Sequence, residues 1–186
     1  EKNGDNFDVV IPSRSLREFT SVFSDDIETV EVFFANNQIL FRSEHISFYT
    51  RLLEGNYPDT DRLIPTEFNT EATFNVANLR FAMERARLLS NATQNGTVKL
   101  EFKNGVVSSH VHSPEVGRVN EEIDTSAVSG EDLSISFNPT YLIEALKAID
   151  SEQVVIRFIS SVRPFTLVPE GNEQGFIQLI TPVRTN

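Results

Sequence analysis

The chain says the same thing three times at one interval. Ile11-Pro12-Ser13-Arg14-Ser15-Leu16, Phe74-Asn75-Val76-Ala77-Asn78-Leu79 and Phe137-Asn138-Pro139-Thr140-Tyr141-Leu142 open three similar segments, with the leucines at 16, 79 and 142 standing 63 residues apart. Phe23, Ala86 and Ile149 keep the same interval. A fixed period marks a unit that does not complete its own core and buries its apolar face against copies of itself. Three units do not pair off evenly. The expectation is therefore one complete domain and one orphan half, divided near Thr66 into residues 1–66 and 67–186.

Each unit reads as strand, helix, strand, strand, strand, which gives an α+β class. In the first, Phe7 to Pro12 is a short apolar strand, and Ser13 or Ser15 is placed to cap a helix. Leu16, Phe19 and Phe23 then recur at helical spacing. Val30, Val32 and Phe34 alternate, Asn36-Asn37 turns the chain, and Ile39 to Arg42 and Ile46 to Leu53 return it. The second unit runs from a strand over Ala72 to Val76 into a helix capped by Asn78. That helix carries Leu79, Ala82, Met83, Ala86 and Leu89 on one side. A strand from Thr97 to Phe102 follows. Asn104-Gly105 is a strong two-residue hairpin signal, before strands at Val106 to His112 and Val119 to Ile123. The third runs Leu133 to Phe137, a helix from Pro139 to Ile149 with Pro in its first turn, then Val154 to Phe158, Phe165 to Val168 and Phe176 to Val183.

Composition removes several function classes. There is no Cys, so no disulfide framework and no thiolate chemistry, which fits a reducing cytoplasm. No apolar run is long enough to span a membrane, and no signal-peptide pattern opens the chain. The sequence begins at Glu1 without Met, in polar residues, as a fragment of something longer would. Asn91 and Asn95 head Asn-x-Thr triplets, which carry no weight without a secretory signal.

Candidate chemistry is thin. His110 and His112 share one face of a strand, but no third ligand stands at a recognisable metal spacing, and Glu115 is weak support. Asp25-Asp26 and Glu121-Glu122 are adjacent pairs whose members point apart or into solvent. Gly-rich phosphate loops, nucleophile elbows and paired-Cys motifs are missing. The sequence offers no enzyme, no cofactor and no metal site. Charge is more informative. The three helical segments hold +3 of the chain's −11, leaving −14 for the remainder. A basic helical layer on an acidic body guides a polyanion to one face and repels it elsewhere; ordinary solvated helix faces are the competing reading. The apolar and proline residues at Tyr57-Pro58, Leu63-Ile64-Pro65 and Leu179 to Val183 fit either a packed terminal strand or a groove for a partner peptide.

Leu53-Glu-Gly-Asn-Tyr-Pro-Asp59 followed by Arg62-Leu-Ile-Pro65 resembles the interdomain linker of bacterial DNA polymerase sliding clamps, the beta subunit of the replicative polymerase. Ala86-Arg-Leu-Leu-Ser-Asn91, Phe137-Asn138 with Tyr141, and Thr181-Pro182-Val183-Arg184 resemble the same family in the same order. The resemblance covers essentially the whole chain. It implies the DNA-clamp fold, with helices on one face and antiparallel sheets on the other. It makes residues 1–66 the second half of the middle domain and 67–186 the complete last domain.

What the resemblance implies about function is a non-catalytic processivity factor, a homodimeric ring around duplex DNA held without sequence preference. By helix location, Arg14, Arg17, Arg80, Arg87 and Lys147 would face the DNA. A pocket for linear motifs of polymerases, the clamp loader and repair proteins would use Tyr57, Pro58, Arg62, Leu63, Val162, Pro164, Leu179, Thr181, Pro182, Val183 and Arg184, with Asn138 and Tyr141 nearby. Thr181 and Pro164 replace the Met and Ser that some members carry. Ring closure would use Leu88 and Leu89 with an acidic edge of Glu115, Glu121 and Glu122. The alternative is a repeat-built interaction scaffold that never meets DNA.

Overall fold

The computed structural model describes residues 8–23, 27–55, 57, 59–90, 96–113, 117–172 and 175–184. Phe7, Asp25, Asp26, Pro58, Asn91, Asn95 and Glu115 lie outside them. The chain forms two compact units, 1–60 and 61–186. The break falls six residues before the expected Thr66. The residues between belong with the second unit, where a 3-10 turn at Asp61–Leu63 leads toward the first strand and the Asn69 amide donates to the Phe158 carbonyl (2.8 Å).

Unit 1 holds helix α1 (Ser13–Val22) and a three-stranded antiparallel sheet, β1 (Glu31–Ala35), β2 (Gln38–Arg42) and β3 (Ser47–Arg51), in that order. Phe19 is the hinge of its core. Its ring stacks on Phe23 at 4.5 Å and lies 4.7 Å from Phe41 and 6.3 Å from Phe48. Asn36 turns β1 into β2 at φ +47, a conformation asparagine tolerates better than most residues. Two expectations fail here. Pro12, not a serine, holds the cap position, and Ser15 instead hydrogen-bonds the Thr50 hydroxyl (2.8 Å). Of the strand expected from Phe7 to Pro12, the described residues 8–12 form one bridge, Val10 with Leu53.

Unit 2 contains the other two repeats. The second comprises β4 (Thr70–Asn75), α2 (Val76–Ser90), β5 (Val98–Lys103), β6 (Val106–Ser113), β7 (Gly117–Ile123) and β8 (Ala127–Gly130). The third comprises β9 (Leu133–Phe137), α3 (Pro139–Lys147), β10 (Gln153–Phe158), β11 (Phe165–Pro169) and β12 (Gln178–Ile180). The Asn104-Gly105 hairpin has φ +53 and +77, positive at both positions as a two-residue primed turn requires. The helix α2 starts earlier than expected, because Asn75 supplies the cap: its side-chain oxygen accepts from the Asn78 amide at 3.0 Å. The strand expected over 176–183 pairs only across Gln178–Ile180.

The two repeats exchange their first strands. β4 pairs antiparallel with β10, and β9 with β5, building sheets ordered β12-β11-β10-β4-β8 and β7-β6-β5-β9. Each sheet of unit 2 is therefore built from strands of both repeats. Helices α2 and α3 pack side by side against the sheets. Phe74, Leu79, Phe102, Phe137, Leu142, Phe158 and Phe165 fill the shared core, all essentially buried. A second rule holds in all three repeats. The first strand is also joined to the segment that follows its own repeat's last strand: Val10 to Leu53, β4 to β8, and the Ser136 carbonyl in β9 to the Val183 amide (2.7 Å).

Candidate clamp surfaces

The register of β6 on β7 sets Ser109 opposite Glu121 and Val111 opposite Val119, so these four side chains share one face. The last turns of α2 pass over that face. Between them lies a small, mostly apolar cavity of about 300 Å³ lined by Arg85, Ala86, Leu88, Leu89, Ser109, Val111, Val119 and Glu121. Leu89 packs partly onto the core, whereas Leu88 stands out into solvent. An ion pair between Arg85 and Glu121 ties the helix to β7 along the rim. The hydrogen bond to Glu121 is the main cause of a raised Arg85 pKa, with partial burial opposing it and the carboxylate's charge reinforcing it. Arg85 therefore stays charged at any working pH. Three of the expected closure residues, Leu88, Leu89 and Glu121, are thus brought together. Glu122, the next residue along β7, is exposed, and its side chain alternates to the opposite face. Arg85, Ser109, Val111 and Val119 were missed from the sequence; the strand register reveals the last three, and the ion pair with Glu121 the first.

A second surface gathers around the tail. β11 and β12 pair with Thr166 opposite Leu179 and Phe165 opposite Ile180, so Thr181 leaves the ladder at the end where Pro164 enters it. Val162 is exposed in the turn just before. The tail then crosses to the other sheet, where the Val183 amide donates to the Ser136 carbonyl. That contact sets Pro182 and Val183 beside the start of α3. There Asn138 caps the helix by accepting from the Thr140 amide (2.9 Å), and Tyr141 is exposed. Asn138 is thereby engaged as a cap as well as lying beside the groove. Arg62 and Leu63 sit exposed on the 3-10 turn, and Arg184 is exposed at the tail. Tyr57 falls in unit 1, where it lines a separate cavity of about 390 Å³ with Val9, Val10, Asn36 and Leu53.

The helix cations are spread over three helices. Arg14 pairs with Glu18 (2.9 Å) and Lys147 with Glu144 (3.0 Å), and Arg80 lies 3.8 Å from Glu84 with its guanidinium over the Phe81 ring. Arg17 is exposed on α1 and Arg87 half-buried in the last turn of α2. His110 is held by Asn120 (2.7 Å) and Ser108 (2.9 Å) on the outer face of the sheet, an ordinary polar network.

Residues 61–184 match the family model for the C-terminal domain of the DNA polymerase III beta subunit, and residues 1–59 match the model for its central domain. The chain belongs to the DNA polymerase III beta subunit family. It is 80% identical over 186 residues to the beta sliding clamp of Streptococcus pneumoniae, covering 100% of this chain and 49% of that relative. A crystal structure of the DNA polymerase III beta chain from Streptococcus pneumoniae superposes with a TM-score of 0.93, again over 100% of this chain and 49% of the other. The DNA polymerase sliding clamp of Bacillus subtilis, 38% identical, superposes with a TM-score of 0.86 over 97% of this chain and 47% of its own. The chain spans about half the length of the curated relatives it matches. The α+β clamp fold with strand-exchanged repeats is the fold of this beta subunit family. Among the described residues, no helix is long and apolar enough to cross a membrane.

Proposed function

We propose that this chain serves DNA replication as the C-terminal half of a processivity clamp, a non-catalytic cytoplasmic ring that encircles duplex DNA. The family match along both units carries this reading. The helix charges support it. Three of the six cations on the helices have an acidic neighbour on the same helix and a fourth, Arg85, is held by Glu121, which leaves the paired ones able to touch phosphates weakly and without base preference. A ring held by topology needs no more, and stronger contacts would impede sliding. Arg14, Arg17, Arg80, Arg87 and Lys147 are the DNA-facing candidates.

Ring closure would use the cavity beneath Leu88. An apolar side chain from a second protomer would fill it, with Leu88 and Leu89 as the apolar contact and Glu122 on the acidic edge. Glu121 is already held by Arg85 and shapes the rim. Polymerase, clamp loader and repair polymerases would dock linear motifs in the groove of Val162, Pro164, Leu179, Thr181, Pro182, Val183 and Tyr141, with Arg62, Leu63 and Arg184 at its border. Exposed apolar residues beside cationic ones are the composition of a linear-motif site. Primer extension with the replicative polymerase and clamp loader tests the function. Adding the full-length protein should lengthen the product made per binding event; unchanged product length would sink the reading.

A further inference from the structure

The outer face of the β12-β11-β10-β4-β8 sheet carries a row of side chains that the core does not need. Register sets Leu179 opposite Thr166, Thr166 opposite Arg157, Arg157 opposite Glu71 and Glu71 opposite Ser129. Their chain neighbours Ile180, Phe165, Phe158 and Ala72 belong to the buried core, so the row faces the other way. It begins at Leu179, in the tail groove, and passes through Thr166, which is essentially buried. It ends at a shallow polar cavity of about 500 Å³, where Thr66, Phe68 and Asn69 lie over Glu71, Ser129 and Arg157. The segment that leads into β4 is thus a strap across this face.

The strap is fastened at one end. Arg157 donates from Nε to the Glu71 carboxylate at 2.5 Å, and its guanidinium lies 5.7 Å from the centroid of the Phe68 ring. The cross-strand ion pair fixes the direction of the cation, and the cation holds the ring. Asn69 adds two hydrogen bonds: its backbone amide donates to the Phe158 carbonyl (2.8 Å) and its side-chain Nδ2 to the Ile159 carbonyl (3.0 Å). Toward its front end the strap has few free dihedrals. Pro65 fixes its own φ and restricts Ile64, and both are half-buried. Asp61–Leu63 is already wound as a 3-10 turn. The remaining freedom lies at Thr66 and Glu67, which are exposed. Leu63 projects from the turn at the front.

We infer that Arg157 is a positioning residue for the peptide groove, acting through Phe68 on the strap and so on Leu63. With the ring held, segment 61–69 has one arrangement and Leu63 stands ordered at the border of the groove. With the ring released, the strap swings about Thr66 and Glu67, and an arriving peptide has to order it on binding, which weakens affinity. The groove's own apolar residues, Leu179, Pro182 and Val183, are untouched by this. The side chains of Arg157 and Glu71 are 20% and 43% exposed, so water screens the pair and the effect is modest. The inference rests on the reading of the groove as a linear-motif site.

The test is calorimetry on the full-length protein with a short synthetic peptide bearing leucine and phenylalanine anchors, the chemistry an apolar groove takes. Arg157→Ala should raise the dissociation constant about three- to tenfold. Phe68→Ala should do the same, and the two together no more than either. Because Phe68→Ala leaves the β10–β4 ion pair in place, it keeps the reading open where Arg157→Ala disturbs the sheet. Leu63→Ala should also weaken binding, and Arg157→Ala added to it should do nothing further, since the path to the groove is already cut. An unchanged dissociation constant in both Arg157→Ala and Phe68→Ala overturns the inference. So does an additive loss in the Leu63 background, the result expected of a residue that serves only the fold. The chain lacking residues 181–186 separates the two readings. If it binds the peptide as well as the intact protein does, the groove reading fails and this inference with it. If it does not bind while Arg157→Ala and Phe68→Ala bind normally, the groove stands and the positioning role alone is refuted.

Discussion

Leu88→Lys in the full-length protein should convert a closed ring to protomers while leaving each protomer folded. Leu88 is 72% exposed in the chain by itself. Fully burying a leucine is worth about 1.5–3 kcal/mol, so about 1–2 kcal/mol remains to be gained when a second protomer covers it. A twofold ring makes that contact twice, for about 2–4 kcal/mol. Lysine forfeits this and leaves a charge without a partner against Leu89, Val111 and Val119, which adds a further ~1–3 kcal/mol. A total near 5 kcal/mol raises the dissociation constant by about three to four powers of ten. The same substitution should change protomer folding by less than about 0.5 kcal/mol, since the side chain leaves no core contact behind. Sedimentation equilibrium reads the first quantity and urea denaturation the second. An intact dimer would refute the assignment of the cavity to ring closure. A large loss of folding stability would show instead that Leu88 serves the fold.

Three further expectations follow from particular contacts. At Gly130, φ is +96 and an added Cβ would lie 1.9 Å from the Asn69 carbonyl, so Gly130→Ala should destabilise unit 2 by about 2–4 kcal/mol in urea denaturation, and a neutral result would contradict the β4–β8 approach. Asn75→Ala should cost about 1 kcal/mol and Asn78→Ala much less, because only Asn75 caps α2; the reverse order in thermal denaturation would return the cap to Asn78. Deleting residues 181–186 removes the amide that ties the tail to Ser136 and should abolish calorimetric binding of a clamp-motif peptide, whereas unchanged affinity would place the groove elsewhere.

Much of the architecture is legible because the repeat is written in side chains that the fold must bury. Leu79 and Leu142, Phe74 and Phe137, and the Asn104-Gly105 turn are local signals with local causes. What could not be read depends on partners distant in sequence. β8 is Ala127-Val128-Ser129-Gly130, with one sizeable apolar residue, and it becomes a strand because β4 offers it an edge. The sequence suggests Asn78 as the α2 cap; the end of β4 moves it to Asn75, whose side chain accepts from the Asn78 amide. The strand exchange leaves no mark in either repeat alone, since β4 looks the same whether it pairs within its repeat or across to β10. The candidate surfaces divide likewise. Leu88 and Leu89 came from resemblance, while Val111 and Val119, which complete the cavity with them, needed the β6–β7 register. The resemblance places Tyr57 at the peptide groove, and in unit 1 it is among the residues lining a cavity.

The account's central claim is that DNA is held by encirclement and not by adhesion. The direct measurement is retention of the full-length protein, loaded by its clamp loader onto nicked circular duplex DNA at physiological salt, before and after the circle is cut once. Encirclement predicts stable retention on the circle and rapid loss from the free ends after cutting, with the 186-residue chain retained on neither. Equal retention on circular and linear DNA would contradict it, because binding would then reside in local contacts that the paired helix cations were argued not to supply.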